Sequence, residues 1–81
     1  MKVRVVYFAR YREALGRDGE QLEGDFKVVD DVRQALLEQG GDYLLLAEQN
    51  LMCACNQDLC KLDEPVREGD EVAFFPPVTG G

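Results

Sequence analysis

Two consecutive prolines, Pro76 and Pro77, directly follow the apolar segment Glu71–Phe75 and limit how this end of the chain can fold. The segment is rich in β-branched and aromatic residues, which predicts a strand. Proline has no backbone N–H to donate, so the strand has to end there, and a Pro-Pro pair favours an extended backbone. The sequence therefore predicts a domain over residues 1–75 and an extended tail over residues 76–81.

The size and charge of the chain restrict its possible partners. A chain of 81 residues has enough apolar surface for a single hydrophobic core. Its 16 acidic and 9 basic residues give a formal net charge of −7, which would repel a phosphate backbone and an anionic membrane surface. We therefore expect one acidic domain with no nucleic-acid partner and no membrane partner.

The sequence gives no sign of export. Residues 1–8 lack the apolar stretch and cleavage site of a signal peptide, and no segment approaches the ~20 apolar residues of a membrane span. Cys53, Cys55 and Cys60 are an odd number of cysteines, which differs from the disulfide framework of a small secreted domain. We predict a cytoplasmic protein with reduced thiols.

Hydrophobic periodicity predicts an α+β domain with one main helix. Strands are predicted over residues 2–9, 20–23, 51–55, 58–62 and 71–75. Helices are predicted over residues 10–15 and from Asp30 to Gly40, with a short helical or irregular segment over residues 43–47. This order of elements, with the helix packed on one face of a mixed sheet, is that of a β-grasp.

Alternation along the first and last strands separates two faces of the predicted sheet. One face carries Val3, Val5, Tyr7, Val72 and Phe74. Phe8 and Phe75 are expected on the opposite face, where Leu59 can join them. An exposed apolar patch of this kind marks a protein interface. Alternatively, the helix covers this face and the three residues are core, because a one-residue slip in register exchanges the two faces.

The end of the tail carries the candidate reactive group. Gly80 and Gly81 have no Cβ and can enter a channel too narrow for side chains. Six extended residues span roughly 20 Å. A carboxylate at Gly81, with a pKa near ~3.5, can attack the α-phosphate of ATP, and sulfide can convert the resulting acyl adenylate to a thiocarboxylate. The alternative is an inert, frayed chain end.

The three cysteines allow two interpretations. Cys53 and Cys55 share a strand face, and Cys60 lies across the predicted hairpin, so the three thiols could form a metal site. A structural zinc site needs a fourth ligand, which the cluster lacks. We therefore predict no metal, and cysteines that pack as small hydrophobic side chains.

The segment of residues 69–81, GDEVAFFPPVTGG, resembles the C-terminal signature of the ubiquitin-like sulfur carriers, and specifically the family of molybdopterin synthase small subunits. Weaker similarity extends over the whole chain, including Phe8-Ala9, the helix over residues 32–37 and Asn56-Gln57. The resemblance implies a ubiquitin-like β-grasp fold for the domain.

The resemblance also implies a function in molybdenum cofactor biosynthesis. A ubiquitin-activator-like enzyme would adenylate Gly81, and a sulfur donor such as a cysteine desulfurase or a rhodanese-like protein would convert it to a thiocarboxylate. The large synthase subunit would then receive the tail and pass the sulfur to cyclic pyranopterin monophosphate, within a heterotetramer of two small and two large subunits. The tail residues implied are Pro76, Pro77, Val78, Thr79 and Gly80, and the partner-binding residues are Phe8, Leu59 and Phe75.

The chain is not expected to be catalytic alone. It contains no histidine, no Gly-rich loop with P-loop spacing and no nucleophile–base pair. We expect no stably bound cofactor, since the activating enzyme would consume the ATP. Three alternatives remain open: a sulfur carrier for thiamine or tRNA thiolation, a ubiquitin-like modifier joined to proteins through Gly81, and an interaction domain with an inert tail.

Overall fold

The computed structural model describes residues 1–77. Its strands are β1 (Lys2–Tyr7), β2 (Gly19–Glu23), β3 (Met52–Cys55), β4 (Asp58–Cys60) and β5 (Glu71–Phe75). Its helices are α1 (Ala9–Leu15), α2 (Val29–Leu37) and a 3-10 helix (Gly41–Ala47). The longest of these helices, α2, has nine residues, and none in this part of the chain is long and apolar enough to cross a membrane.

The five described strands form one mixed sheet in the order β2-β1-β5-β3-β4. The first and last strands, β1 and β5, pair in parallel at the centre of the sheet, and the other neighbours pair antiparallel. With α2 as the crossover after the first hairpin, this is the ubiquitin-like β-grasp topology. The predicted α+β class and mixed sheet are confirmed.

One face of the sheet packs against the helices and forms the core. We call it the covered face; its members are Val3, Val5, Tyr7, Val72 and Phe74, each at most 1% exposed. The helical side of the core is formed by Tyr11, Val29, Val32, Leu36 and Leu46, each fully buried. Burial of a side chain of this size contributes about 1.5–3 kcal/mol to folding. The predicted alternation in β1 and β5 is therefore confirmed.

Strand β1 ends two residues earlier than predicted. Phe8 precedes α1 as its N-cap, and Ala9 has a φ of 53°, in the left-handed region that a strand does not use. The backbone N–H of Phe8 still donates to the carbonyl oxygen of Phe74 at 3.2 Å. The change of direction at Ala9 thus directs the chain into α1 while Phe8 remains beside β5.

The main helix begins at Val29, slightly before the predicted acidic start. The carboxylate of Asp31 accepts hydrogen bonds from the backbone N–H groups of Lys27 and Val28, at 2.8 and 3.1 Å. These bonds lower the pKa of the Asp31 side chain. The acidic residue therefore stabilises the turn that leads into the helix, where N–H groups lack intrahelical acceptors.

Strands β3 and β4 form the predicted hairpin with a two-residue turn. Asn56 and Gln57 both have positive φ, at 52° and 73°, which a type I′ turn requires. Strand β4 ends at Cys60, two residues before the predicted end. The carbonyl of Leu62 instead accepts a hydrogen bond from the N–H of Asp30 at 2.9 Å, which ties the chain after β4 to the start of α2.

Candidate functional site

The face of the sheet opposite the helices carries a continuous apolar row. Register places Val6 of β1 beside Ala73, Ala73 beside Ala54, and Ala54 beside Leu59. In the next row, Phe75 pairs with Met52. Together with Phe8, these residues define the open face: Val6, Phe8, Met52, Ala54, Leu59, Ala73 and Phe75. The row therefore crosses four of the five described strands.

Two aromatic rings close one end of the open face. Phe8 is 46% exposed and Phe75 is half-buried. Their ring centroids are 6.1 Å apart at an interplanar angle of 83°, an edge-to-face arrangement. Such pairs are worth about 0.5–1.5 kcal/mol beyond the area they bury. Because the hydrogen bond from Phe8 to Phe74 fixes the end of β1, the two rings present one preformed apolar surface.

Leu59, at the far edge of the open face, is 70% exposed on the short strand β4. The hairpin that carries it is fixed to β5 by Asn56. The Asn56 side chain donates to the Asp70 carboxylate at 3.0 Å and accepts from the N–H of Glu71 at 3.0 Å. These two bonds tie the turn of the hairpin to the start of β5, beside the antiparallel pairing of β3 with β5.

The sequence singled out three residues of the open face, Phe8, Leu59 and Phe75, and the structure brings all three to it. It missed Met52 and Ala54, which belong to β3. Their strand pattern, MCAC, gives no contrast between polar and apolar positions, so periodicity could not indicate which of its residues face away from the helices. The docking role of the three predicted residues stays a prediction.

The predicted tail begins where β5 ends, beside the aromatic pair. Phe75 is the last residue of β5, and Pro76 and Pro77 follow without regular secondary structure, both half-buried. The other predicted tail residues, Val78, Thr79, Gly80 and Gly81, lie outside the described residues. The described chain thus ends two residues beyond the aromatic pair.

A hydrogen-bonded cluster around the half-buried carboxylate of Glu20 lies on the helical side of the sheet. Glu20 of β2 accepts hydrogen bonds from the hydroxyl groups of Tyr7 and Tyr43, both at 2.7 Å, and pairs with Arg17 at 3.0 Å. Burial alone would raise the pKa of Glu20, but the two hydroxyl donors and the charge of Arg17 lower it overall. Burial, together with the Glu20 hydrogen bond, raises the pKa of Tyr7. The cluster connects β1, β2 and the 3-10 helix and has a structural role.

The three cysteine thiols lie around β3 and β4. Cys53 is buried, and Cys55 and Cys60 are half-buried. Burial is the main reason that the pKa rises to about 11 for Cys55 and to about 12 for Cys60. Within residues 1–77, no group of three or more histidine, cysteine or acidic side chains is placed to hold a metal ion. Only a small fraction of a thiol with a raised pKa is thiolate at neutral pH, so these thiols react slowly as nucleophiles at that pH.

Comparison with known proteins agrees with this architecture. The model of the ThiS family matches residues 5–81. The molybdopterin synthase sulfur carrier subunit of Haemophilus influenzae is 47% identical over 95% of this chain and 96% of that protein. The corresponding subunit of Escherichia coli is 44% identical over 98% of this chain and 99% of that protein.

A solved structure gives the same result for the fold. SAMP1 of Haloferax volcanii, a small archaeal modifier protein, superposes with a TM-score of 0.79 at 26% identity, over the full length of both chains. The sulfur carrier subunits of Haemophilus influenzae and Escherichia coli are 47% and 44% identical to this chain over nearly its whole length, which establishes common descent. The chain belongs to the ThiS family, and within it to the group of the molybdopterin synthase sulfur carrier subunits.

Proposed function

We propose that this chain is the sulfur carrier subunit of a molybdopterin synthase and that Gly81 carries the sulfur as a thiocarboxylate. The observation that carries the proposal is the apolar open face, which continues to the point where the chain leaves the sheet at Phe75 and Pro76. A partner bound to this face receives the tail in a fixed direction. Membership in the family of sulfur carrier subunits supports the same conclusion.

The proposed chemistry takes place on one carboxylate. A carboxylate oxygen of Gly81 attacks the α-phosphate of ATP, and pyrophosphate leaves, which gives an acyl adenylate. The persulfide of a sulfur donor then attacks the acyl carbon, and AMP leaves with that oxygen. A thiol reductant cleaves the S–S bond of the resulting acyl disulfide, which gives the thiocarboxylate and leaves the donor sulfur in a disulfide with that thiol. The sulfur is passed on to cyclic pyranopterin monophosphate, and water restores the carboxylate.

In this proposal, the catalytic groups belong to the partner proteins and not to this chain. The proposed partners are the large synthase subunit, a ubiquitin-activator-like adenylating enzyme, and a cysteine desulfurase or rhodanese-like sulfur donor. The chain itself binds no cofactor stably in this proposal, and ATP is consumed by the activating enzyme. Two carriers and two large subunits would form the heterotetramer. Each pterin would receive two sulfur atoms in two transfers and so consume the sulfur of two carriers.

Docking is assigned to the exposed members of the open face. Phe8 and Leu59 are apolar and exposed at opposite ends of the apolar row, with Phe75 half-buried beside Phe8. Aromatic side chains held rigidly before binding lose little conformational freedom on association and commonly dominate interface energies. Phe8 and Phe75 are therefore proposed as the main anchors, and Leu59 as the contact at the far edge.

The proposal is tested with a carrier that is prepared chemically as the Gly81 thiocarboxylate. Mixed with the large subunit and cyclic pyranopterin monophosphate, it should form the dithiolene product without ATP, in a ratio of two carriers to one product. The unmodified carrier and a carrier without Gly81 are the matched controls. A thiocarboxylate carrier that binds the large subunit but yields no product would contradict the proposed acceptor.

A second function is favoured by one specific observation, the structural likeness to a small archaeal modifier protein at a TM-score of 0.79. In that case, Gly81 would be joined through an isopeptide bond to lysines of other proteins. Mass spectrometry of cell extracts for lysines that carry the C-terminal peptide of this chain distinguishes the two functions. Adducts that disappear on deletion of Gly81 would favour the modifier; their absence alongside product formation would favour the carrier.

A further inference from the structure

Two thiols face each other across the β3–β4 hairpin. Cys53 and Cys60 are directly opposite in the antiparallel register, and both are free. Their sulfur atoms are 3.8 Å apart, and the Cys53 thiol donates to the carbonyl oxygen of Cys60 at 3.4 Å. The pair lies on the side of the sheet opposite to Leu59, whose own strand partner is Ala54.

The backbone of this pair already suits a disulfide. Residues directly opposite in an antiparallel pair have Cα atoms about 4.5–5.5 Å apart. Disulfides form across Cα separations of roughly 4.4–6.8 Å. The sulfur atoms need to approach from 3.8 Å to about 2.05 Å, a change that side-chain rotation can supply without a change in register.

The two thiols differ in access. Cys53 is 2% exposed, whereas Cys60 is half-buried on the edge strand β4 and lines an open groove together with Cys55, Glu64 and Arg67. A small reagent in solution can therefore reach Cys60 before Cys53. Because Cys53 is held against Cys60 by the hairpin register, it is positioned to attack the Cys60 sulfur once that sulfur is modified.

We propose that Cys53 and Cys60 are a redox-active pair that closes to a cross-strand disulfide on reaction with a small disulfide such as oxidised glutathione. The Cys60 thiolate attacks one glutathione sulfur, the glutathione S–S bond breaks, and the first glutathione thiolate leaves. The Cys53 thiolate then attacks the Cys60 sulfur and displaces the second glutathione thiolate. Overall, two protein thiols are oxidised and one glutathione disulfide is reduced to two glutathione thiols, whose sulfur atoms take up the two protons that the protein thiols lose.

The surroundings of the pair set the rate and the selectivity of this reaction. Burial raises the pKa of Cys60 to about 12, so only a small fraction is thiolate at neutral pH and the rate rises about tenfold per pH unit below that pKa. Cys55 is the competing thiol. Its strand partner is Asp58 rather than a cysteine, so Cys55 has no thiol directly opposite it in the hairpin to complete the exchange.

The disulfide would link β3 and β4 at the pair of residues next to Ala54 and Leu59. Strand β4 has three residues and forms the edge of the sheet, so it is held by few backbone hydrogen bonds. A covalent bond between its last residue and β3 prevents the hairpin from opening. Because exchange of these amides requires the strand to open locally, amide hydrogen exchange within β4 is expected to slow by ~10-fold or more.

The test uses the folded, full-length chain with oxidised glutathione at about pH 9, where thiol–disulfide exchange is faster. Intact mass should fall by about 2 Da, for two hydrogens lost, and be restored by dithiothreitol. Peptide mapping should link Cys53 to Cys60. C55S is the matched control and should oxidise like the parent, whereas the intact mass of C60S should not decrease. C53A should accumulate a glutathione adduct on Cys60.

Three results would overturn the proposal. The first is an unchanged mass in the folded parent protein while denatured protein oxidises under the same conditions. The second is a disulfide that includes Cys55 in the parent chain. The third is a C60S variant that loses the mass as the parent does. Because none of these measurements involves Gly81 or a partner, failure here is distinguishable from failure of the sulfur-carrier proposal.

Discussion

The two faces of the sheet are formed by the same strands, yet they differ sharply in exposure. On the covered face, Val5, Val72 and Phe74 are 0% exposed. On the open face, Phe8 is 46% and Leu59 is 70% exposed. Both sets are apolar, so composition alone does not distinguish them. The difference teaches that apolar character alone does not place a side chain in the core: the helices cover one face, and the largest side chains of the other face stay accessible.

The largest expected effect comes from neighbouring phenylalanines in β5. Phe74→Ala removes a fully buried ring and should lower the free energy of unfolding by about 3–5 kcal/mol. Phe75→Ala removes a half-buried ring from the open face and should cost about 1 kcal/mol or less, near the value of its pair with Phe8. Urea denaturation followed by circular dichroism measures both. Equal losses would mean that the open face contributes to stability as the covered face does.

For binding to the large subunit, the comparison of the two faces predicts the opposite order: substitutions on the open face should weaken affinity more than substitutions elsewhere. Phe75→Ala should weaken affinity for the large subunit by about 2 kcal/mol or more, roughly 30-fold. Leu44→Ser is a matched control, since Leu44 is 57% exposed but belongs to the 3-10 helix on the other side of the sheet. Calorimetric titration of folded variants gives the values. A loss for Leu44→Ser as large as that for Phe75→Ala would place the interface elsewhere.

The carboxylate cluster makes the helical side sensitive to acid. Glu20→Gln should destabilise the fold by about 1–3 kcal/mol at neutral pH, because it weakens the bonds from Tyr7 and Tyr43. The folded pKa of Glu20 is lowered, so its contribution is present above the unfolded value near ~4.3 and is lost as pH falls through the folded pKa. Denaturation midpoints recorded between about pH 7 and pH 3 should therefore fall less in the glutamine variant. A parallel fall in both proteins would exclude this role for Glu20.

A smaller loss of stability is expected from substitutions at Asn56, in the turn of the hairpin that carries Leu59. Asn56→Ala removes the bonds to Asp70 and Glu71 and should cost about 1 kcal/mol. Asn56→Asp keeps the acceptor for the Glu71 N–H but places a negative charge beside Asp70, so it should be no better than alanine. Thermal unfolding and affinity for the large subunit provide the two measurements. Unchanged values in both variants would show that the hairpin does not need the side-chain bonds of Asn56.

Much of the fold was predictable because its signals are local. Period-two alternation identifies β1 and β5, and the apolar spacing after Asp30 identifies α2. The same alternation separated the two faces of these strands, but it did not decide which face the helix covers, because a one-residue slip in register exchanges them. The sequence alone did not decide whether Phe8 and Phe75 are exposed, because this depends on the register of the strands, which alternation does not fix.

The details that the sequence did not predict depend on contacts between distant segments. The positive φ of Ala9, which ends β1 early, is stabilised by the neighbouring strand β5, and nothing in its residue type indicates it. The bonds between Asn56 and Glu71 join residues 15 positions apart. The pairing of Cys53 with Cys60 needs the register of the hairpin. Each feature results from tertiary structure rather than from local propensity.

The most direct test of the central claim is the intact mass of the chain after incubation with an activating enzyme, ATP and a sulfur donor. Replacement of one carboxyl oxygen of Gly81 by sulfur should raise the mass by about 16 Da, as expected for an activated acyl group captured by sulfide. Tandem mass spectrometry should locate the change to Gly81, and a chain without Gly81 should show no such change. No mass increase with an activating enzyme that is active on another carrier would contradict the sulfur-carrier account.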